Sequence, residues 1–118
     1  MSTKIVLSNC TEWRNEKWEL HREDGPAIEY SDGCESWYQN GELHREGGPA
    51  LEYPSGTVLW YQNGLLHRAD GPAVENVNGD QEWYINGEIV TEEEHALLTW
   101  ERLTQKQQDN IIFKKKES

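Results

Sequence analysis

Three copies of one eleven-residue signature stand 23 residues apart in this 118-residue chain, and that period limits the folds open to it. His21, Arg22, Gly25, Pro26, Ala27, Glu29, Gly33, Trp37, Tyr38, Asn40 and Gly41 return at 44–64 and again at 67–87. Self-similarity at such a period means one supersecondary unit stacked on its own copies, because a short unit cannot bury an apolar face alone. The chain reads as a scaffold that presents a surface.

Each copy carries two turn marks. Asn40-Gly41, Asn63-Gly64 and Asn86-Gly87 follow aromatic runs, and Asn-Gly is the strongest short signal for a type I′ hairpin because both central residues need positive φ. A second turn falls at Asp32-Gly33, Ser55-Gly56 and Asn78-Gly79. The segments between, such as 27–30 and 35–39, have strand length and are rich in aromatic or β-branched residues. Pro26, Pro49 and Pro72 stand where a strand begins and a missing N–H does least harm. Two short strands per repeat are therefore expected. The predicted fold is mostly β: a single-layer twisted antiparallel meander of hairpin repeats at 21–43, 44–66 and 67–90, closed by a C-terminal α-helix.

Residues 1–20 read as a degenerate N-terminal cap. Leu20 matches Leu43, but Trp18 occupies a glycine position and Trp13 lies one place out of register. Terminal units of stacked arrays are commonly atypical, since one face has no neighbour. At the other end Val90 replaces the expected His, and Thr91 with Glu94 spells a capping box, with Glu92 and Glu93 also suited to a helix N-terminus. Leu97, Trp100 and Leu103, with Ala96 and Thr104 beside them, share one helical face. This predicts a capping helix region at 91–113, in which Ile111–Phe113 can return to the fold, and a solvated basic tail at 114–118.

With 35% hydrophobic residues, the apolar surface is concentrated in six Trp and five Tyr against one Phe. Twenty-two acidic side chains against eleven basic ones give a net charge of -11. That opposes direct binding to nucleic-acid phosphates or anionic lipid, and favours basic partners. Cys10 and Cys34 show no disulfide-framework spacing, and the first eight residues hold only a three-residue apolar run. A reduced, cytoplasmic setting is expected, with no signal peptide and no membrane span.

The stretch Trp37-Tyr38-Gln39-Asn40-Gly41-Glu42-Leu43-His44, followed by Gly48 and Gly56, resembles the MORN repeat. The His-Arg-x-Asp-Gly-Pro-Ala run after the turn is similar to the variant met in bacterial, tailed-phage and giant-virus proteins. The likeness is close over 37–87 and looser over 20–90. Arg45 and Arg68 depart from it, standing where the common repeat has glycine. The resemblance implies a single-layer antiparallel meander used for protein contacts, in the host cytoplasm if the protein is viral.

His21, His44 and His67 raise the question of a metal. Two strands per repeat place equivalent residues roughly 10 Å apart, too far to share one ion whose ligands must lie about 2 Å away. They read instead as structural histidines that hydrogen-bond at the turns. Glu29, Glu52 and Glu75 recur with Arg22, Arg45 and Arg68. A threefold copy favours a Glu-to-Arg or Glu-to-His ladder over acid–base catalysis, which needs one special environment. The pattern predicts no catalytic residue, no metal and no cofactor.

Trp37, Trp60 and Trp83 precede Tyr38, Tyr61 and Tyr84, so strand alternation sends the two rows to opposite faces. The simplest arrangement packs the Trp row with Ile28, Leu51 and Val74 and leaves the Tyr row over the repeat backbones. These aromatic rows and the Arg row form the candidate interaction face. The expectation is a non-enzymatic protein-binding module, such as an inhibitor, an immunity protein or a phage counter-defence protein. One alternative is an acidic nucleic-acid mimic, although the charge is uneven: -5, -1 and -4 over the three repeats. Another is a small-ligand binder at the sheet–helix junction, where Trp100 and His95 could meet Trp83 and Tyr84.

Overall fold

The computed structural model describes residues 2–100 and Gln105. Leu103, Thr104, Ile111–Phe113 and the basic tail, all expected to belong to or follow the capping helix, lie outside the described residues. The described residues form thirteen short strands in a single-layer antiparallel meander, followed by one helix. The N-terminal strands are β1 (Thr3–Val6) and β2 (Cys10–Arg14). The first repeat gives β3 (Ile28–Tyr30), β4 (Glu35–Ser36), β5 (Tyr38–Gln39) and β6 (Glu42–Leu43). The second gives β7 (Leu51–Glu52), β8 (Val58–Leu59), β9 (Tyr61–Gln62) and β10 (Leu65–Leu66). The third gives β11 (Val74–Glu75), β12 (Gln81–Ile85) and β13 (Glu88–Val90), after which α1 (Glu92–Leu98) begins.

Nine strands pair in the order β1-β2-β3-β4-β7-β8-β11-β12-β13, while β5-β6 and β9-β10 form separate Asn-Gly hairpins beside them. The first two repeats thus contain four strand pieces each rather than the two expected, because one strand breaks at its tryptophan and the other is interrupted between the Asn-Gly turn and the Gly-Pro-Ala run. Trp37 N–H donates to the Ala50 carbonyl of the following repeat, whereas the Trp37 carbonyl accepts from His44 within its own hairpin. Trp60 repeats the switch with Ala73 and His67. Trp83 has no fourth copy beside it, and β12 runs unbroken through it.

The turns follow from backbone demands. Asn40, Asn63 and Asn86 have φ of 50, 50 and 48°, and the glycines after them 83, 80 and 85°, the left-handed pair of a type I′ turn. The hairpins are tied along the array by Gly41 N–H to Leu20 O, Gly64 N–H to Leu43 O and Gly87 N–H to Leu66 O, each 2.8 Å.

The N-terminal cap is built as a full unit. Trp13 N–H donates to Ala27 O and Trp13 O accepts from His21 N–H, the bonds that Trp37 and Trp60 make. Its displacement by one place reflects a hairpin turn one residue longer, organised by the Asn15 side chain, whose Oδ1 accepts from the N–H groups of Lys17 and Glu19. Trp18, at the glycine position, adopts the glycine backbone with φ 66°.

Register separates two faces. Ile28, Ser36, Leu51, Leu59 and Val74 face one another across successive strands, and Glu29, Glu35, Glu52, Val58 and Glu75 do so on the opposite face. Tyr38, Tyr61 and Tyr84 pair with Leu43, Leu66 and Ile89. By alternation these pairs continue the aliphatic face. The core is thin: Ala27, Ala50 and Ala73 are fully buried, and Ile28 and Val74 nearly so.

Candidate functional site

The arginine of each repeat is built into the array. Arg22 lies over the Trp13 ring, Arg45 over Trp37 and Arg68 over Trp60, each guanidinium 3.8 Å from the ring centroid. Such stacking favours the flat, delocalised guanidinium. Nη1 donates to the carbonyls of Pro26, Pro49 and Pro72 at 3.1–3.2 Å and meets Glu29, Glu52 and Glu75 at 3.7, 3.4 and 3.1 Å. A Cβ on Gly25, Gly48 or Gly71 would come within 2.7–2.8 Å of the arginine Cζ, so the recurring glycine leaves room for the guanidinium. The Glu–Arg pairs form within each repeat, and the arginines are held rather than offered to a partner.

The histidines act on the next turn. Nδ1 of His21, His44 and His67 accepts from the backbone N–H of Asn40, Asn63 and Asn86, each at 3.0 Å. Accepting that bond leaves Nδ1 without a proton, so a neutral ring carries it on Nε2. Nε2 meets Glu23 at 3.6 Å and Glu46 at 2.9 Å, while the third repeat has Ala69 at that place. Among the described residues no His, Cys, Asp and Glu side chains gather in a group that could hold a metal ion.

Gln39 and Gln62, not singled out in the signature, donate through Nε2 to the carbonyls of Arg22 and Arg45 at 3.0 Å. Their 23-residue recurrence was the available signal. Ile85 stands in the third copy, and there His95 Nε2 of α1 takes the corresponding Arg68 carbonyl at 2.5 Å. Thr91 occupies the position of the repeat arginine, whose N–H bonds the next tyrosine carbonyl. Thr91 N–H instead donates to Glu94 Oε1, within the capping box. The helix thus supplies partners that a repeat would supply.

The Trp row does not share a face with Ile28, Leu51 and Val74, as the simplest reading had it. Trp37 follows Ser36, which pairs with both Ile28 and Leu51, so alternation turns its ring to the Arg and Glu side. The tyrosines share the aliphatic side. Burial pushes the phenols of Tyr38 and Tyr61 up from their ordinary range, and that of Tyr61 is pushed further by Tyr53, Tyr38 and Tyr84. Cys10 pairs directly with Tyr30 from one side, and Tyr30 N–H bonds the Cys34 carbonyl from the other. Two strand spacings, about 10 Å, separate the thiols' backbones, beyond disulfide reach.

Open clefts run along the Trp–His–Arg side at the repeat spacing. The first, of about 430 Å³, is walled by Trp13, His21, Arg22, Glu23 and Asp24. The second, about 440 Å³, has Trp37, Gln39, His44 and Arg45, with Glu23, Glu42 and Glu46. The third, about 390 Å³, has Trp60, Gln62, His67 and Arg68, with Glu46 and Asp70. Glu23 therefore stands between the first and second clefts, and Glu46 between the second and third. At the sheet–helix junction a groove of about 450 Å³ is lined by His67, Ala69, Ile85, Leu97, Leu98 and Trp100. No protein-family model, curated protein or solved structure matches the chain. No helix among the described residues is long and apolar enough to cross a membrane.

Proposed function

We propose that this chain is a MORN-like, non-enzymatic protein-binding module acting in the cytoplasm as an inhibitor, an immunity protein or a phage counter-defence factor. The observation that carries the reading is the recurrence of one cleft, walled by Trp, His and Arg, three times along one side. A linear surface of repeated, like-built depressions suits an extended macromolecular partner, whereas chemistry on a small substrate needs one distinctive pocket. On the tyrosine side Tyr38, Tyr61 and Tyr84 are half-buried beside Leu43, Leu66 and Ile89, whereas the cleft side projects its acidic ridges, Glu23 and Glu46, into solvent. Unpaired Cys10 and Cys34 accord with a reducing compartment. Co-purification from the native host tests it with Glu23→Lys plus Glu46→Lys, at side chains 84% and 81% exposed. Loss of the partner at an unchanged melting temperature is expected. Retention of the partner would move the interface elsewhere.

One observation favours a second reading, the acidic mimic of nucleic acid. Glu29, Glu35 and Glu52 lie side by side on three adjacent strands. A mimic binds basic grooves through charge, so its association constant should fall steeply with salt. Affinity unchanged between low and moderate salt would remove it.

A further inference from the structure

Resting on the protein-binding reading, we propose that the three clefts take a polyproline-II segment carrying Lys or Arg at every third position. The spacing is the first reason. Each repeat advances the array by two strands, about 9.6 Å at the usual interstrand distance. A polyproline-II chain rises about 3.1 Å per residue with three residues per turn, so positions i, i+3 and i+6 point the same way about 9.3 Å apart. A β-strand sends i and i+3 to opposite faces. An α-helix returns to the same face at i+7, about 10.5 Å on, a larger mismatch that accumulates from cleft to cleft.

Charge is the second reason. Glu23 and Glu46 stand on the ridges between clefts, more than four-fifths exposed, and Glu42 adds to the wall of the second. The arginines in the clefts neutralise Asp24 and Asp70, which they pair at 3.2 and 2.9 Å, but leave Glu23, Glu42 and Glu46 uncancelled, because their guanidiniums are otherwise committed to Glu29, Glu52 and Glu75 and to the Pro carbonyls. A basic side chain entering each cleft would meet carboxylates and the indole edges of Trp13, Trp37 and Trp60. Length is the third. Beyond the third cleft the ridge acid becomes Ala69, and α1 stands across the groove with Leu97 and Leu98. Three basic positions, a heptapeptide, fill what remains.

The test uses fluorescein-labelled peptides and the full chain in anisotropy titrations. One heptapeptide has Lys at positions 1, 4 and 7 separated by prolines, and its isomer has the three Lys adjacent. A third, alanine-based peptide carries Lys at 1, 8 and 15. The spaced heptapeptide should bind about tenfold more tightly than its isomer, since only it reaches three clefts at once. Glu23→Gln with Glu46→Gln should remove most of that preference, and Tyr30→Ala on the other face should leave it intact. Equal affinity of the two isomers overturns the proposal, and so does tighter binding of the helical peptide. If the spaced peptide fails while charge reversal at Glu23 and Glu46 still releases the host partner, the protein-binding reading stands and only the partner's conformation is wrong.

Discussion

His95 Nε2 of the C-terminal helix donates to the carbonyl of Arg68, the acceptor position that the Gln39 and Gln62 side chains fill in the two preceding repeats. His95 is buried, and a carbonyl only accepts, so the ring nitrogen must bring the proton. His95→Ala leaves a sheltered carbonyl unsatisfied and should cost about 1–3 kcal/mol in urea unfolding. Adding Ile85→Gln restores the donor of the other repeats and should return part of that loss. Alone, Ile85→Gln removes an apolar wall facing Leu97 and should destabilise. This reversal of sign identifies the donor, not the helix as a whole, as the element that closes the array.

The Arg45 clamp predicts a second coupling. A Cβ on Gly48 would stand 2.7 Å from Arg45 Cζ. The side chain can swing away, but it then gives up the Trp37 stack and the bonds to Pro49 and Glu52. Gly48→Ala should therefore cost about 1–2 kcal/mol, the size of a partly buried cation–π contact with its hydrogen bonds. In an Arg45→Ala background the same change should cost much less. Additive costs in a double-mutant cycle of denaturant midpoints would place the strain in the backbone of Gly48 instead.

Local backbone demands were legible in the sequence. Asn-Gly pairs require left-handed φ wherever they fall, so the hairpins of all three repeats could be placed from residue type alone. Contacts between copies were not. That Arg45 stacks on Trp37 of the preceding repeat, or that the strand changes partner at Trp37, depends on how neighbouring units lie, which spacing does not state. Large rings suit cores, which favours the Trp row on the aliphatic face, yet Ser36 holds that face in the register and alternation turns Trp37 to the other. His95 stands in the sequence as a candidate pocket residue and no more, since nothing in a lone histidine shows that it replaces a glutamine three repeats into an array.

Trp18 offers a stabilising substitution. With φ 66° it bears the left-handed cost, about 1–2 kcal/mol for a side chain of this kind, and its ring is largely exposed. Arg14 bonds its carbonyl, which any residue would provide, and approaches the ring only at 5.8 Å. Trp18→Gly should raise stability by about 0.5–1 kcal/mol after the extra flexibility of the unfolded chain is counted. A fall in the urea midpoint would mean that the ring supports the cap through contacts stronger than its exposure implies.

Glu35 sets a pH dependence of unusual sign for a carboxylate. It lies between Glu29 and Glu52 in the register, whereas the corresponding positions in the later repeats hold neutral Val58 and Gln81. Burial pushes its carboxyl above the ordinary range, and Glu52, through charge and a side-chain hydrogen bond, pushes it further, with Glu29 adding and Arg45 opposing. A carboxyl raised in the folded state favours folding while protonated. That contribution is complete below the unfolded value and is lost as pH rises through the folded one. Glu35→Gln should therefore be more stable than the parent at pH 7, and the gain should shrink on acidification until it vanishes below the ordinary carboxyl range. Glu94 runs the other way. Its bonds to Thr91 hold its carboxyl down, so what it contributes is present at neutral pH and lost in acid. Urea unfolding of the two glutamine variants from pH 4 to pH 8 should thus give differences from the parent of opposite sign at neutral pH. A Glu35→Gln gain that stays constant across the range would assign the effect to strand propensity rather than to the crowded carboxylates.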